Sequence, residues 1–152
     1  MGKHRAPRRA KKQTAVAIPT VATVPRILVV EDDPEAALFT VHVLTTRGQF
    51  EVVHTADPVE ALRLVTDEHW DLLLTDLEMP GMTGLELLTA LRQVAPALPV
   101  AVISAHVLDA TLAPLLGHAD EYLEKPLRVD KLIATATALI GQGRRPVTDA
   151  GL

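Results

Sequence analysis

Short apolar runs alternate with helix-length segments five times along this chain, and no other feature limits its fold as tightly. The runs are "RILVV", "FEVVHTA", "DLLLTD", "VAVISA" and "EYLEKP". The first is β-branched and continuously apolar, the pattern of a strand buried on both faces. Asp33-Pro34 and Asp57-Pro58 open the segments after the first two runs. Each pairs a capping acid with a proline suited to the first helical turn, and Gly48 suits the stop of the first segment. "LELLTALRQVA", "LDATLAPLLGHA" and "RVDKLIATATALI" complete a set of five helices. Such alternation predicts parallel strands, right-handed crossovers and helices on both faces of one sheet.

Composition narrows what this sheet can be made of. The 152 residues are 48% hydrophobic but only 3% aromatic, so Leu, Val, Ile and Ala must fill the core. No cysteine is present, which excludes disulfides, thiolate metal sites and cysteine catalysis and is compatible with a reducing cytoplasm. No run approaches the roughly 18 apolar residues of a membrane span. The net charge of −4 conceals an asymmetry. Residues 1–25 hold Lys3, Arg5, Arg8, Arg9, Lys11 and Lys12 and no acid, whereas residues 26–140 hold 18 acids against 7 Lys and Arg. A basic, proline-broken arm expected to be disordered thus precedes an acidic domain. Arg8-Arg9 is not followed by the apolar stretch an export signal needs. Residues 141–152 are expected to form a mobile polar tail, too short for a further domain.

The chemistry lies where the runs end. In an open α/β sheet, ligands bind beyond the carboxyl ends of the strands. Those ends carry Glu31 and Asp32, Asp76, Ser104, and Lys125. Three acids held close raise one another's pKa unless a cation shares them. Hard oxygen ligands suit Mg2+, a lysine offers phosphate a point charge, and a serine hydroxyl donates to a phosphate oxygen. The set describes a phosphoryl site with Mg2+ in which a carboxylate can be the nucleophile.

Over residues 26–140 the motifs "ILVVEDDP", "LLLTDLEMPGMTG", "VISA" and "YLEKPL" resemble the receiver domain of bacterial response regulators. That resemblance implies a flavodoxin-like, doubly wound five-stranded parallel sheet of order 2-1-3-4-5 with five helices. It implies phosphorylation of Asp76 by a sensor histidine kinase, a histidine phosphotransfer protein or a small acyl phosphate. It further implies Mg2+ held directly by Asp32, through water by Glu31, and by Asp76 and the backbone carbonyl of Glu78. Ser104 and Lys125 match the phosphate-binding residues, and Tyr122 the switch aromatic; without that role Tyr122 reads as a half-buried strand tyrosine with its hydroxyl in water. The family's Lys-Pro peptide is cis, which carries over to Lys125-Pro126. Glu78 and His106 occupy positions that tune the lifetime of the phosphorylated state. His42, His54 and His69 lack metal-ligand spacing and read as structural or surface residues.

The output face implied by the resemblance is the fourth helix, fifth strand and fifth helix, and two departures fall on it. Pro114 removes a backbone hydrogen bond inside the fourth helix, predicting a kinked, shortened or restarted element. His118 stands where the family has glycine, so either it takes a positive φ at a cost or Gly117 assumes that role. The leading expectation is a cytoplasmic, stand-alone phosphorylation switch without enzymatic turnover of its own. The alternatives are a module whose basic arm engages nucleic acid or an anionic surface, and a carboxylate-dependent phosphohydrolase. Asp76-Leu77-Glu78 is a poor match to the Asp-x-Asp of the latter.

Overall fold

The computed structural model describes residues 23–105, 110–115 and 117–144. Five parallel strands form one sheet: β1 (Arg26–Val30), β2 (Glu51–Thr55), β3 (Leu72–Asp76), β4 (Val100–Ser104) and β5 (Glu121–Glu124), in the order β2-β1-β3-β4-β5. The order expected from the sequence is the order found. Residues of β3 and β4 are buried throughout, which explains why "LLLTD" and "VAVIS" show no polar alternation.

Helices α1 (Pro34–Thr46), α2 (Pro58–Asp67), α3 (Gly84–Val94) and α4 (Val129–Gln142) cover the two faces. On one face Val43 and Leu44 of α1 and Leu132, Ala136 and Leu139 of α4 pack against Ile27, Val29, Leu72 and Leu74. On the other, Ala61 and Val65 of α2 and Leu87, Leu88 and Leu91 of α3 pack against Leu28, Val30, Leu73 and Val102. The chain therefore leaves β1 toward one face and β3 toward the other, opening a crevice beyond the ends of these neighbouring strands. Asp33 and Asp57 cap α1 and α2 through bonds to Glu35 N and Val59 N, with proline following each, as the dipeptides predict.

Two expectations need correction. Four α-helices are present among the described residues, not five: the segment between β4 and β5 contains a 3-10 turn, Ala110–Leu115, with Pro114 inside it. Proline lacks the N–H that an α-helical bond requires, so the shortened form prevails. The stop of α1 falls where the sequence places it, with Arg47 as the cap and Gly48 next; Gly48 is needed for space, since a Cβ there would lie 2.5 Å from the Phe50 ring and 2.8 Å from Leu44 O, while Gln49 carries a positive φ of 60°. At the other end of the domain, α4 runs two residues past 140 to Gln142. Arg144 then folds back, its Nε 3.1 Å from Asp120 Oδ1 and an Nη donating to Gly117 O at 2.8 Å. The buried Asp120 carboxylate supplies the packing partner that residues 141–144 seemed to lack. Gly117 takes φ 87° and His118 does not, which relieves the β5 approach of a strained histidine. The basic residues of the arm and residues 145–152 lie outside the described residues.

Candidate functional site

The carboxyl edge of the sheet gathers the acids that the strand ends predict. β3 is the central strand, paired to β1 and β4, so its last residue is delivered to the middle of the crevice. Asp76 is 3% exposed there, and Glu31, the residue after β1, is equally buried. One oxygen each from Glu31, Asp32 and Asp76 lies within 4.8 Å of the others. Lys125 closes the site from the end of β5, with Nζ 2.8 Å from Asp76 Oδ2 and 3.9 Å from Glu31 Oε1. The Lys125-Pro126 peptide is cis.

Hydrogen bonds hold this geometry on all sides. Glu78 N donates to Asp76 Oδ1 at 2.8 Å, so the backbone past the strand end turns over the carboxylate. Asp33 N donates to Glu31 Oε2 at 3.2 Å, turning Glu31 back on its own loop. That leaves Asp33 free to cap α1 with its side chain, and Asp32 half-exposed at the mouth. His54, which reads as a bland residue in the sequence, places Nε2 2.8 Å from the Glu31 carbonyl oxygen. A carbonyl only accepts, so the ring nitrogen donates.

Among the described residues the Lys125 ammonium is set against this acidic group, and Glu31 registers both its own burial and the neighbouring negative charge. Burial pushes Glu31 up to about 7; the Asp33 N–H opposes this, and the negative charge of Asp76 adds to it. Lys125 moves the other way relative to its burial. Desolvation acts to lower it, but the hydrogen bond to Asp76 and the charges of Asp76, Glu31 and Glu78 together hold it above its usual value. A site of hard oxygens with surplus negative charge fits a divalent cation such as Mg2+. A cavity of about 610 Å3 opens beside it, between α1 and the loop after β5, bounded by Phe39, Thr40, Ile103 and Leu127.

Other predicted residues sit on the periphery. Ser104 ends β4, 2% exposed, and its carbonyl accepts from Lys125 N at 2.9 Å, which ties it to the lysine's backbone. Glu78 is exposed at the rim. Tyr122 pairs in register with Val102 and packs its ring against the core on the α2–α3 face. Its hydroxyl is buried without a partner among the described residues, and burial pushes it up to about 12. A hydroxyl in water is therefore not what this conformation holds. His106 lies outside the described residues.

Known proteins share both pattern and shape. Residues 27–137 match the family model of the response regulator receiver domain. The transcriptional regulatory protein PrrA of Mycobacterium tuberculosis is 38% identical over 122 residues, 80% of this chain and 52% of that protein. The chain thus spans about half the length of the curated relatives it matches. A CheY-like receiver domain protein of Methanospirillum hungatei superposes with a TM-score of 0.74 at 26% identity, over 79% of this chain and 96% of the other. Response regulator TrrA of Thermotoga maritima, solved in complex with Mg(2+)-BeF, gives 0.70 at 28% identity over 76% and 99%. The family match across most of the chain, on a sheet whose carboxyl edge carries the acids and the lysine, shows that this chain belongs to the response regulator receiver family, the phospho-accepting modules of two-component signalling.

Proposed function

We propose that Asp76 is the phospho-accepting residue and that this chain passes a signal by carrying a phosphoryl group there. The observation that carries the reading is a buried strand-end carboxylate held 2.8 Å from a lysine ammonium, beside two further acids. In the proposed step an Asp76 oxygen attacks phosphorus in line with the leaving group. The new O–P bond forms as the P–N bond of a phosphohistidine, or the P–O bond of an acyl phosphate, breaks. The bonding pair departs with the leaving group: a histidine nitrogen takes a proton from solvent, whereas an acyl phosphate releases its carboxylate as the anion.

Asp32 would hold Mg2+ directly, Glu31 through water, and Asp76 and the Glu78 carbonyl would complete the protein's ligands. The ion supplies charge neutralisation for the phosphoryl oxygens. Lys125 and Ser104 bind those oxygens, the first as a charge and the second as a donor. The relative solved with Mg(2+)-BeF supports the same chemistry here. Glu78 at the rim, and His106 by its place in the sequence, would tune hydrolysis of the phosphoryl group, so any autophosphorylation and autodephosphorylation belong to the turnover of Asp76. The donor is a sensor histidine kinase or a histidine phosphotransfer protein in the cytoplasm. The receiver of the signal binds the face formed by the 3-10 turn, β5 and α4, with Tyr122 responding to Ser104. Among the described residues no helix is long and apolar enough to cross a membrane.

Incubation with Mg2+ and acetyl phosphate, followed by intact-mass measurement, tests the reading. The expected result is one added phosphate in the unaltered chain and none in Asp76→Asn. Labelling that persists in Asp76→Asn, or that never occurs with any donor, overturns it.

A further inference from the structure

The loop that carries Glu31 and Asp32 has an unusual anchor. A parallel ladder lets one residue donate to the carbonyl of residue j−1 on its neighbour and accept from the N–H of residue j+1. Glu31 N donates to Thr55 O at 3.1 Å, so the next rung calls for Asp57 N to donate to Glu31 O. Asp57 N is engaged elsewhere: it donates to Thr55 Oγ1 at 3.1 Å, where the chain turns into the Asp57-capped start of α2. The Glu31 carbonyl therefore loses its backbone donor at the point where the acidic loop begins. His54 Nε2, 2.8 Å away, fills the vacancy from the edge strand β2.

We infer that His54 is a positioning residue for the acidic loop, a side-chain rung that replaces the missing ladder bond and orients Glu31 and Asp32 for a divalent cation. This rests on the proposed function in requiring that the acids hold Mg2+. His54 touches neither the cation nor the phosphoryl group in this scheme. It acts through the Glu31 carbonyl, which belongs to the peptide unit that joins the two acids. Glu31 N and O are then both tied to β2, and Glu31 Oε2 to Asp33 N, so the loop has one conformation rather than several. Groups that bond to metal ligands are worth about ten- to a hundred-fold in affinity when they touch the ligand directly. A single bond to the ligand's backbone is worth less, roughly five-fold.

The experiment compares the unaltered chain, His54→Ala and His54→Gln. Gln keeps an N–H donor at a similar reach; Ala does not. Mg2+ is titrated into metal-free protein and followed by amide shifts in 15N–1H correlation spectra. The expected half-saturation concentration rises about five-fold in His54→Ala and returns to within about two-fold in His54→Gln. At saturating Mg2+ the rate of labelling by acetyl phosphate stays unchanged in both variants, which separates loss of loop order from loss of chemistry. Metal-free protein gives an independent reading, because the His54 Nε2 proton should appear as a slowly exchanging imidazole N–H. Equal Mg2+ affinity in all three proteins, or a freely exchanging Nε2 proton, overturns the inference while leaving the proposed function intact. An unaltered chain that takes up no Mg2+ overturns both.

Discussion

Removing the proton from Glu31 should cost the metal-free fold measurable stability. The carboxyl sits near 4.5 in an unfolded chain and at about 7 here, chiefly through burial. Below pH 4.5 both states hold the proton and Glu31 contributes nothing to the pH dependence. Between these values the folded state keeps a proton that the unfolded state releases, so stability falls as pH rises and levels off above pH 7. At about 1.4 kcal/mol for each pH decade the full loss comes to about 3 kcal/mol. The side chain is only 4% exposed, so solvent screening takes little from that figure. Urea unfolding in EDTA at pH 5, 6, 7 and 8 reads the effect. About 2.5 kcal/mol of that loss falls between pH 5 and 8, so with a urea slope near 2 kcal/mol per molar the midpoint should drop by about 1.2 M across the series. Glu31→Gln should flatten the curve, because its amide has no proton to lose. Glu60 and Glu86 are held below their usual range by Arg63 and by the Thr83 cap. Their stability is lost only as pH falls below about 4.5, outside this window. Lys125, raised above 10.5, changes charge only on the alkaline side. Millimolar Mg2+ should restore more stability at pH 8 than at pH 5, since it favours the ionised carboxylate. A midpoint constant from pH 5 to 8, or an equal slope in Glu31→Gln, would refute the reasoning.

Two further perturbations probe the parts that hold the site in place. Arg144→Ala leaves the fully buried Asp120 carboxylate with its Val100 N–H bond but without its cation. The expected loss is about 2 kcal/mol by urea unfolding, below the usual range for a broken buried pair because the Val100 N–H bond is kept. At the end of α1, Gly48→Ala should cost about 1–3 kcal/mol, since the new methyl meets the Leu44 carbonyl as well as the Phe50 ring. Gln49→Gly in the same turn should gain about 0.5–1 kcal/mol, because φ 60° suits glycine; thermal melts of the two variants should move in opposite directions.

Much of the fold is legible because its signals are local. Asp-Pro at the head of α1 and α2 couples a cap to a fixed φ, and both helices begin there. "LLLTD" announces a strand wet on neither face, and β3 is the sheet's centre. The acids were found the same way, since a charge closing an apolar run demands an explanation that only a shared site provides. What escaped notice depends on partners distant in sequence. His54 has no local signature: its role follows from Asp57 N turning away from the ladder, which no spacing of residues encodes. Arg144 looks like tail composition until Asp120, 24 positions earlier, is seen buried beneath it. "RGQ" marks the stop of α1 at Gly48 but does not reveal that the Phe50 ring occupies the space beside it.

The two edges of the sheet treat their charges in opposite ways, and that contrast bears on how the site can be switched. At the amino edge every acid is either wet or matched. Arg26 bonds Glu51 and Glu68, 54% and 42% exposed, and stacks 4.1 Å over Trp70. Asp120 is wholly buried but held by Arg144. Arg92 is pushed down to about 10 by burial, with the Arg144 charge adding to the push and Asp120 resisting it. At the carboxyl edge Glu31 and Asp76 are buried with Asp32 alongside, and among the described residues the Lys125 ammonium pairs with Asp76 and Glu31. Such an edge is stable only because two full cores and a matched opposite edge carry the fold. A cation entering there lowers free energy by relieving repulsion, and on the proposed function Lys125 and Ser104 would meet the charge that a phosphoryl group then adds. Ser104 ends the strand on which Lys125 N is hydrogen-bonded, and β5 carries Tyr122 with its hydroxyl buried and unpartnered among the described residues. On the proposed function, a shift of Ser104 or Lys125 toward a phosphoryl group would be passed to β5, the strand whose Tyr122 hydroxyl gives up no hydrogen bond by moving.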